Sequence, residues 1–205
     1  MAGELNMPYL SPDIVIAEPL KDCLACIGMR QEGKTNLLKW LLNSCPNRYT
    51  CFDTLGQVRR GFTPLKPDIQ RIITPTWAQH YPLFIKTCEE VWKEGNQIFA
   101  IDEVSQYTTK WEMPDELKRL ISMGGNRNIA LWITTQRVAQ VHNDLLANIK
   151  HHFIFRTFLP QDVEWYSKFV PKEVILMSKD LPRFHFIYYR LGAEPQIFKP
   201  VKLMR

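Results

Sequence analysis

Cys23-Leu-Ala-Cys-Ile27, then Gly28-Met-Arg-Gln-Glu-Gly-Lys-Thr35, then Asn36-Leu-Leu-Lys-Trp-Leu-Leu42 follow one another without a break, and this stretch decides the fold. The first piece is a short apolar run of strand type, and the second fits G-x-x-x-x-G-K-[ST] in full. The third continues a one-sided apolar stripe at Leu37, Leu38, Leu41 and Leu42, which predicts a helix over residues 34–42. Glycine at both ends of the loop lets the backbone curl until its N–H groups face a phosphate, and the helix start adds partial positive charge. The residues expected to hold ATP are therefore Gly28, Met29, Arg30, Gln31, Glu32, Gly33, Lys34, Thr35 and Asn36. Lys34 is expected to reach the β and γ phosphates, and the Thr35 hydroxyl to ligate Mg²⁺, which takes few protein ligands and keeps much of its water.

Such a loop needs a second strand ending in an acid. Gln97-Ile-Phe-Ala-Ile-Asp102-Glu103 supplies an apolar run closed by two carboxylates, with Asp102 expected on the metal side. Glu103 stands where an ATPase places the group that orients or deprotonates the attacking water. A third strand, Ile129-Ala-Leu-Trp-Ile-Thr-Thr135, ends at Gln136, whose amide can bond both water and phosphate and so sense the γ-phosphate, provided this strand lies between the other two. The loop before it, Gly124-Gly-Asn-Arg127-Asn128, puts an arginine opposite the presumed phosphate end of the sheet. Arg127 cannot easily serve its own site, but in a ring it could reach a neighbour's nucleotide; Arg119 and Arg156 are the other candidates.

Outward from these motifs, strand-type runs at 13–17, 23–27, 49–52, 70–73, 97–102, 129–135 and 152–156 alternate with helical patterns, which predicts an α/β fold with a mainly parallel central sheet. Trp77, Tyr81, Phe84, Ile85, Cys88, Val91 and Trp92 fall at helical spacing and are expected in the core, with Pro82 at a helix start or kink. Pro114, Asp115 and Glu116 mark another helix start, and Gly124-Gly125 its stop. Residues 184–190 and 196–202, around Leu191-Gly-Ala-Glu-Pro195, predict a terminal β-hairpin, either on the sheet edge or against a neighbouring subunit.

With 205 residues and nothing marking a boundary, one domain is expected, its core at about 13–158 and C-terminal helices and hairpin at about 160–205. No apolar run approaches the ~20 residues of a membrane span, and the start of the chain has no secretory pattern. Five cysteines predict reduced thiols in an intracellular setting rather than a disulfide framework. Cys23 and Cys26 form a lone C-x-x-C inside a strand and are expected as buried side chains. His151 and His152 are adjacent on a strand, so they point to opposite faces and cannot share a ligand. The net charge of +5 points to an anionic partner, with Arg59, Arg60, Lys66, Lys110, Lys118, Lys150 and Lys202 as scattered candidates for a phosphate backbone. Two loops carry such cations near the expected site, residues 53–62 and 105–113.

The phosphate loop, the Asp102-Glu103 strand end, Arg127 before the next strand and Gln136 after it together resemble the FtsK–HerA superfamily of P-loop ATPases, over about residues 23–156. Within it, the short chain is similar to the branch that packages genomes of membrane-containing icosahedral viruses with double-jelly-roll capsids. The resemblance implies a three-layer P-loop NTPase of the RecA-like, additional-strand catalytic-glutamate type. It also implies ATP and Mg²⁺ as cofactors, and a homo-oligomeric, usually hexameric, ring that drives double-stranded DNA into a preformed capsid without reading its sequence. Capsid or membrane-vertex proteins are then expected partners, with the chain in host cytoplasm or at a capsid vertex. A cellular translocase of the same superfamily, a small-molecule P-loop kinase and a non-hydrolysing nucleotide switch are the competing readings.

Overall fold

The computed structural model describes residues 7–11, 18–157 and 159–202, so the strand expected at 13–17 lies outside the described residues. Eight strands form one sheet: β1 (Cys23–Ile27), β2 (Tyr49–Asp53), β3 (Gln70–Ile73), β4 (Gln97–Asp102), β5 (Ile129–Thr135), β6 (Ile149–Ile154), β7 (Phe186–Arg190) and β8 (Gln196–Phe198). Their order is β3-β2-β4-β5-β1-β6-β7-β8. The first six run parallel, and β7 and β8 add to the β6 edge antiparallel. The hairpin thus extends the sheet of its own chain, joined by the five-residue turn 191–195.

The period-2 alternation of β1 divides its side chains between two cores. Leu24 and Cys26 face the side covered by α1 (Lys34–Ser44), whose Leu37, Leu38, Leu41 and Leu42 are all fully buried. Ala25 and Ile27 face the other side. There α2 (His80–Glu94) packs with α3 (Asp115–Met123), α4 (Asn143–Ala147), α5 (Pro160–Tyr166) and α6 (Lys172–Met177). Burying one leucine stabilises by roughly 1.5–3 kcal/mol, so the α1 stripe alone fixes the phosphate loop against the sheet.

Several expectations shift. The helix expected from the aromatic spacing begins at His80, with Pro82 in its first turn, where a missing N–H costs nothing and no kink follows. Phe84, Cys88 and Val91 are core, but Trp77 and Tyr81 are not: Trp77 stands in a 3-10 turn, 76% exposed, stacked on His80 at 4.8 Å. The strand expected at 152–156 is instead Ile149–Ile154, because pairing with β1 in the register Ala25↔His152 sets its ends. Both hairpin strands are shorter than expected, since Phe184 takes a left-handed backbone (φ 68°) that ends pairing at Phe186.

The cysteines are all free. Cys26 is fully buried, its thiol pushed far up by burial, and the Cys23 sulfur accepts the Leu131 N–H at 3.3 Å from the opposite core. His151 and His152 do face opposite sides, one bonded to the Tyr188 hydroxyl (2.9 Å) and the other to the Tyr166 hydroxyl (2.6 Å).

Candidate nucleotide site

At the carboxyl ends of the parallel strands, where open α/β sheets bind ligands, β1 is flanked by β5 and β6, and β4 lies beyond β5. The loop after β1 is tied to both neighbours. Gly28 N–H donates to the Thr135 carbonyl (3.3 Å) and Met29 N–H to the Arg156 carbonyl (3.0 Å). Gly28 has φ 149°, and a Cβ there would meet the Phe155 Cβ at 2.6 Å, so only glycine fits. Gly33 turns into α1 at φ 107°. The Glu32 carboxylate leaves the loop's interior and grips the Arg156 guanidinium through two hydrogen bonds, one of 2.9 Å. Arg156 is thereby committed to its own phosphate loop.

A cavity of about 320 Å³ opens over this loop, lined by Arg30, Gln31, Gly33, Lys34, Thr35, Asn36, Leu55, Gln57, Asp102, Glu103, Gln136, Arg183 and Phe184. Lys34 is buried, and its ammonium donates to the Met29 carbonyl at 2.7 Å, closing the loop around itself. Burial lowers its pKa, while the charges of Glu103 and Asp102 oppose the shift. The Thr35 hydroxyl donates to Asp102 Oδ1 at 3.2 Å, and the Thr134 hydroxyl to the same oxygen at 2.8 Å. Desolvation pushes the Asp102 carboxyl up to about 6 despite those two bonds, with Asp53 and Glu103 adding repulsion. A buried carboxylate short of positive charge, one bond from a threonine hydroxyl, is an all-oxygen donor pair that fits Mg²⁺. Among the described residues no group of three or more His, Cys, Asp or Glu forms a cage of its own.

Glu103 is the next residue and stands in a left-handed conformation (φ 62°, ψ 62°), strained for a side chain with a Cβ. Its Oε1 accepts from the Ser105 hydroxyl (2.6 Å), the Gln136 N–H (3.0 Å) and the Thr135 hydroxyl (3.5 Å). The carboxylate is thus aimed by residues of β5 and of its own turn, with the Gln136 side chain beside it on the cavity wall. β5 does lie between β1 and β4, the condition for Gln136 to emerge there.

Arg127 and Arg119 are elsewhere. Both guanidiniums stack on Trp92, at 5.2 and 4.9 Å, and Arg127 also donates to the Lys93 carbonyl at 3.0 Å. The Arg127 carbonyl accepts from Asn96 next to the start of β4, so this arginine marks the end of the sheet remote from the phosphate loop.

Sequence reasoning missed Arg183 and Phe184. They precede β7, and Phe184 reaches within 3.5 Å of where a Gly33 side chain would begin. Phe184 also lines an adjoining apolar recess of about 190 Å³ with Phe155, Phe186, Pro200 and Val201, and carries the Arg183 guanidinium 4.7 Å from its ring. No local signal marks this pair, because a positive φ at phenylalanine is imposed by the tertiary packing. Leu55 and Gln57, from the loop after β2, were equally silent.

No family model and no curated protein matches the chain. Among solved structures, it is similar to the genome-packaging NTPase of Sulfolobus turreted icosahedral virus 2 in complex with ATP-γS, at TM-score 0.73 and 20% identity, over 89% of this chain and 99% of that one. The DNA-packaging ATPase of Sulfolobus turreted icosahedral virus gives TM-score 0.70 and 19% identity over 90% and 100%. The pCW3 conjugation coupling protein TcpA gives 0.55 and 19% over 87% and 59%. The three-layer fold of this chain, mostly parallel with a C-terminal antiparallel hairpin, is therefore a P-loop NTPase fold, shared with those genome-packaging NTPases.

Proposed function

We propose that the chain is an ATPase that drives double-stranded DNA into a preformed viral capsid, working as a homo-oligomeric ring of hexameric type. The observation that carries this reading is the convergence of Lys34, Thr35, Asp102, Glu103 and Gln136 on one cavity. The fold's likeness to a packaging NTPase over 99% of that protein's length supports it.

In this reading the triphosphate lies along Gly28–Thr35, and Lys34 exchanges the Met29 carbonyl for phosphate oxygens. Thr35 and Asp102 hold Mg²⁺, which when bound neutralises charge on the phosphates. The adenine ring enters the recess beside Phe184. Glu103, held in its strained turn, takes the proton of the attacking water, and Gln136 reports the γ-phosphate. Arg127, remote from its own cavity and exposed, serves the neighbour's nucleotide across the ring. The chain acts in host cytoplasm, docking at a capsid vertex through capsid or membrane-vertex proteins.

A cellular translocase is the second reading, favoured by the shared fold of the conjugation coupling protein, of which this chain spans only 59%. The test is phosphate release by wild type, Glu103→Gln and Arg127→Ala, with and without duplex DNA and with water as sole acceptor. Wild type hydrolyses ATP faster with DNA, Glu103→Gln loses at least ~10²-fold, and Arg127→Ala ~10³-fold. Full activity in either variant removes that residue's role.

A further inference from the structure

We propose that residues 54–61, the loop leaving β2, couple the nucleotide cavity to duplex DNA, with the Arg59 and Arg60 guanidiniums gripping backbone phosphates. The inference rests on the translocase reading above and names the contact that reading leaves open.

The loop has an inner and an outer side. On the inner side, Leu55 and Gln57 line the same cavity as Lys34 and Asp102. The Thr54 hydroxyl donates to the Asp102 carbonyl at 2.6 Å. Asp53, fully buried and opposite Asp102 in the β2–β4 register, accepts the Arg59 N–H at 2.8 Å. The Lys39 ammonium, on α1, donates to the Arg60 carbonyl at 2.9 Å, and Val58 is fully buried between. The loop backbone is therefore pinned both to the phosphate-loop helix and to the strand that carries Asp102. A shift of either element is transmitted to Arg59 and Arg60.

On the outer side, Arg59 and Arg60 are exposed, and among the described residues neither guanidinium has an ion pair or ring partner. Holding two adjacent unpaired cations on a tethered backbone is unfavourable by self-repulsion, which a row of phosphates relieves. The competing loop is less suited. Its cation, Lys110, is spent on the Trp165 ring at 4.1 Å and the Trp111 ring at 5.0 Å. Lys66 and Lys150 are likewise occupied, by the Pro46 carbonyl (3.2 Å) and the Asp22 carboxylate (2.6 Å).

The experiment is fluorescence anisotropy of a labelled duplex from 50 to 200 mM salt with MgATPγS present, comparing wild type with Arg59→Ala/Arg60→Ala. The double variant is expected to bind the duplex at least tenfold more weakly. Its slope of log affinity against log salt is expected to be shallower by about 2, near 0.9 for each lost phosphate contact. ATPγS affinity and basal phosphate release are expected to stay within about twofold of wild type. Lys172→Ala/Lys179→Ala, which removes the same charge from other exposed positions, controls for net charge. The proposal is overturned by unchanged duplex affinity and slope, by an equal drop in that control, or by lost basal hydrolysis with duplex binding intact. A wild-type chain that ignores the duplex overturns the translocase reading together with this one, whereas a binding wild type matched by the double variant removes the loop alone.

Discussion

At the scale of single residues, the site is held in a state of electrostatic need. Asp102 is buried beside Asp53 and Glu103, and its carboxyl stands at about 6 against an ordinary 3.8. The folded chain thus holds a proton there that the unfolded chain releases, so this group's contribution is full below about pH 4 and is lost as pH rises through 6. Asp102→Asn is accordingly expected to stabilise the ligand-free protein by on the order of 2 kcal/mol at pH 7.5. In urea melts the advantage should shrink towards zero at pH 4; a variant less stable than wild type at pH 7.5 contradicts the assignment. Ser105 offers a second check. Its hydroxyl is one of three donors on Glu103 Oε1, and a hydrogen bond to a charged group is worth roughly 1.5 kcal/mol. Ser105→Ala should lower kcat about tenfold and leave KM for ATP within about twofold, because Ser105 positions the base without touching nucleotide. That Lys34, Thr35 and Asp102 meet at one cavity was legible in the sequence, because a glycine loop running into a helix and an apolar strand closed by an acid are local patterns. Ser105 and Thr134 were not, since a hydroxyl acquires its role only when the fold brings a carboxylate to it.

At the scale of elements, the strands that carry the motifs were legible in place and length, because each is an apolar run closed by glycine or polar residues. Of those without a motif, Gln70–Ile73 falls where expected and Tyr49–Asp53 gains one residue, whereas β6 begins three residues earlier than its apolar run suggests, since Lys150 is tolerated on an exposed position paired with Asp22. The hairpin was legible as a hairpin but not as part of the site. Its approach segment brings Phe184 onto Gly33 and the recess beyond. Phe184→Ala is expected to weaken ATP binding by about tenfold, the ~1.4 kcal/mol of one lost aromatic contact, with turnover at saturating ATP unchanged. Isothermal titration with ATPγS measures the first and phosphate release the second. Unaltered affinity would remove the adenine from that recess.

At the scale of the whole molecule, the cavity and Arg127 lie at opposite ends of the sheet, so in the ring proposed above a neighbour's Arg127 would complete each site. Glu103→Gln and Arg127→Ala, each inactive alone, are then expected to recover roughly a quarter of wild-type hydrolysis when mixed in equal amounts, since one interface in four pairs two intact partners. No recovery on mixing would place Arg127 outside the neighbour's site. The sequence indicated an arginine in this loop, but its stacking on Trp92 depends on α2 and α3 meeting, which no spacing reveals. The proposed function depends on Lys34, Thr35 and Asp102 enclosing one magnesium-bound triphosphate. Titration of ATPγS into wild type, Thr35→Ala and Asp102→Asn, with magnesium and with chelator, tests that directly. Magnesium is expected to tighten binding to wild type by at least tenfold and to make little difference to either variant. Binding indifferent to magnesium in wild type, or equally tightened by it in both variants, would contradict the proposed function.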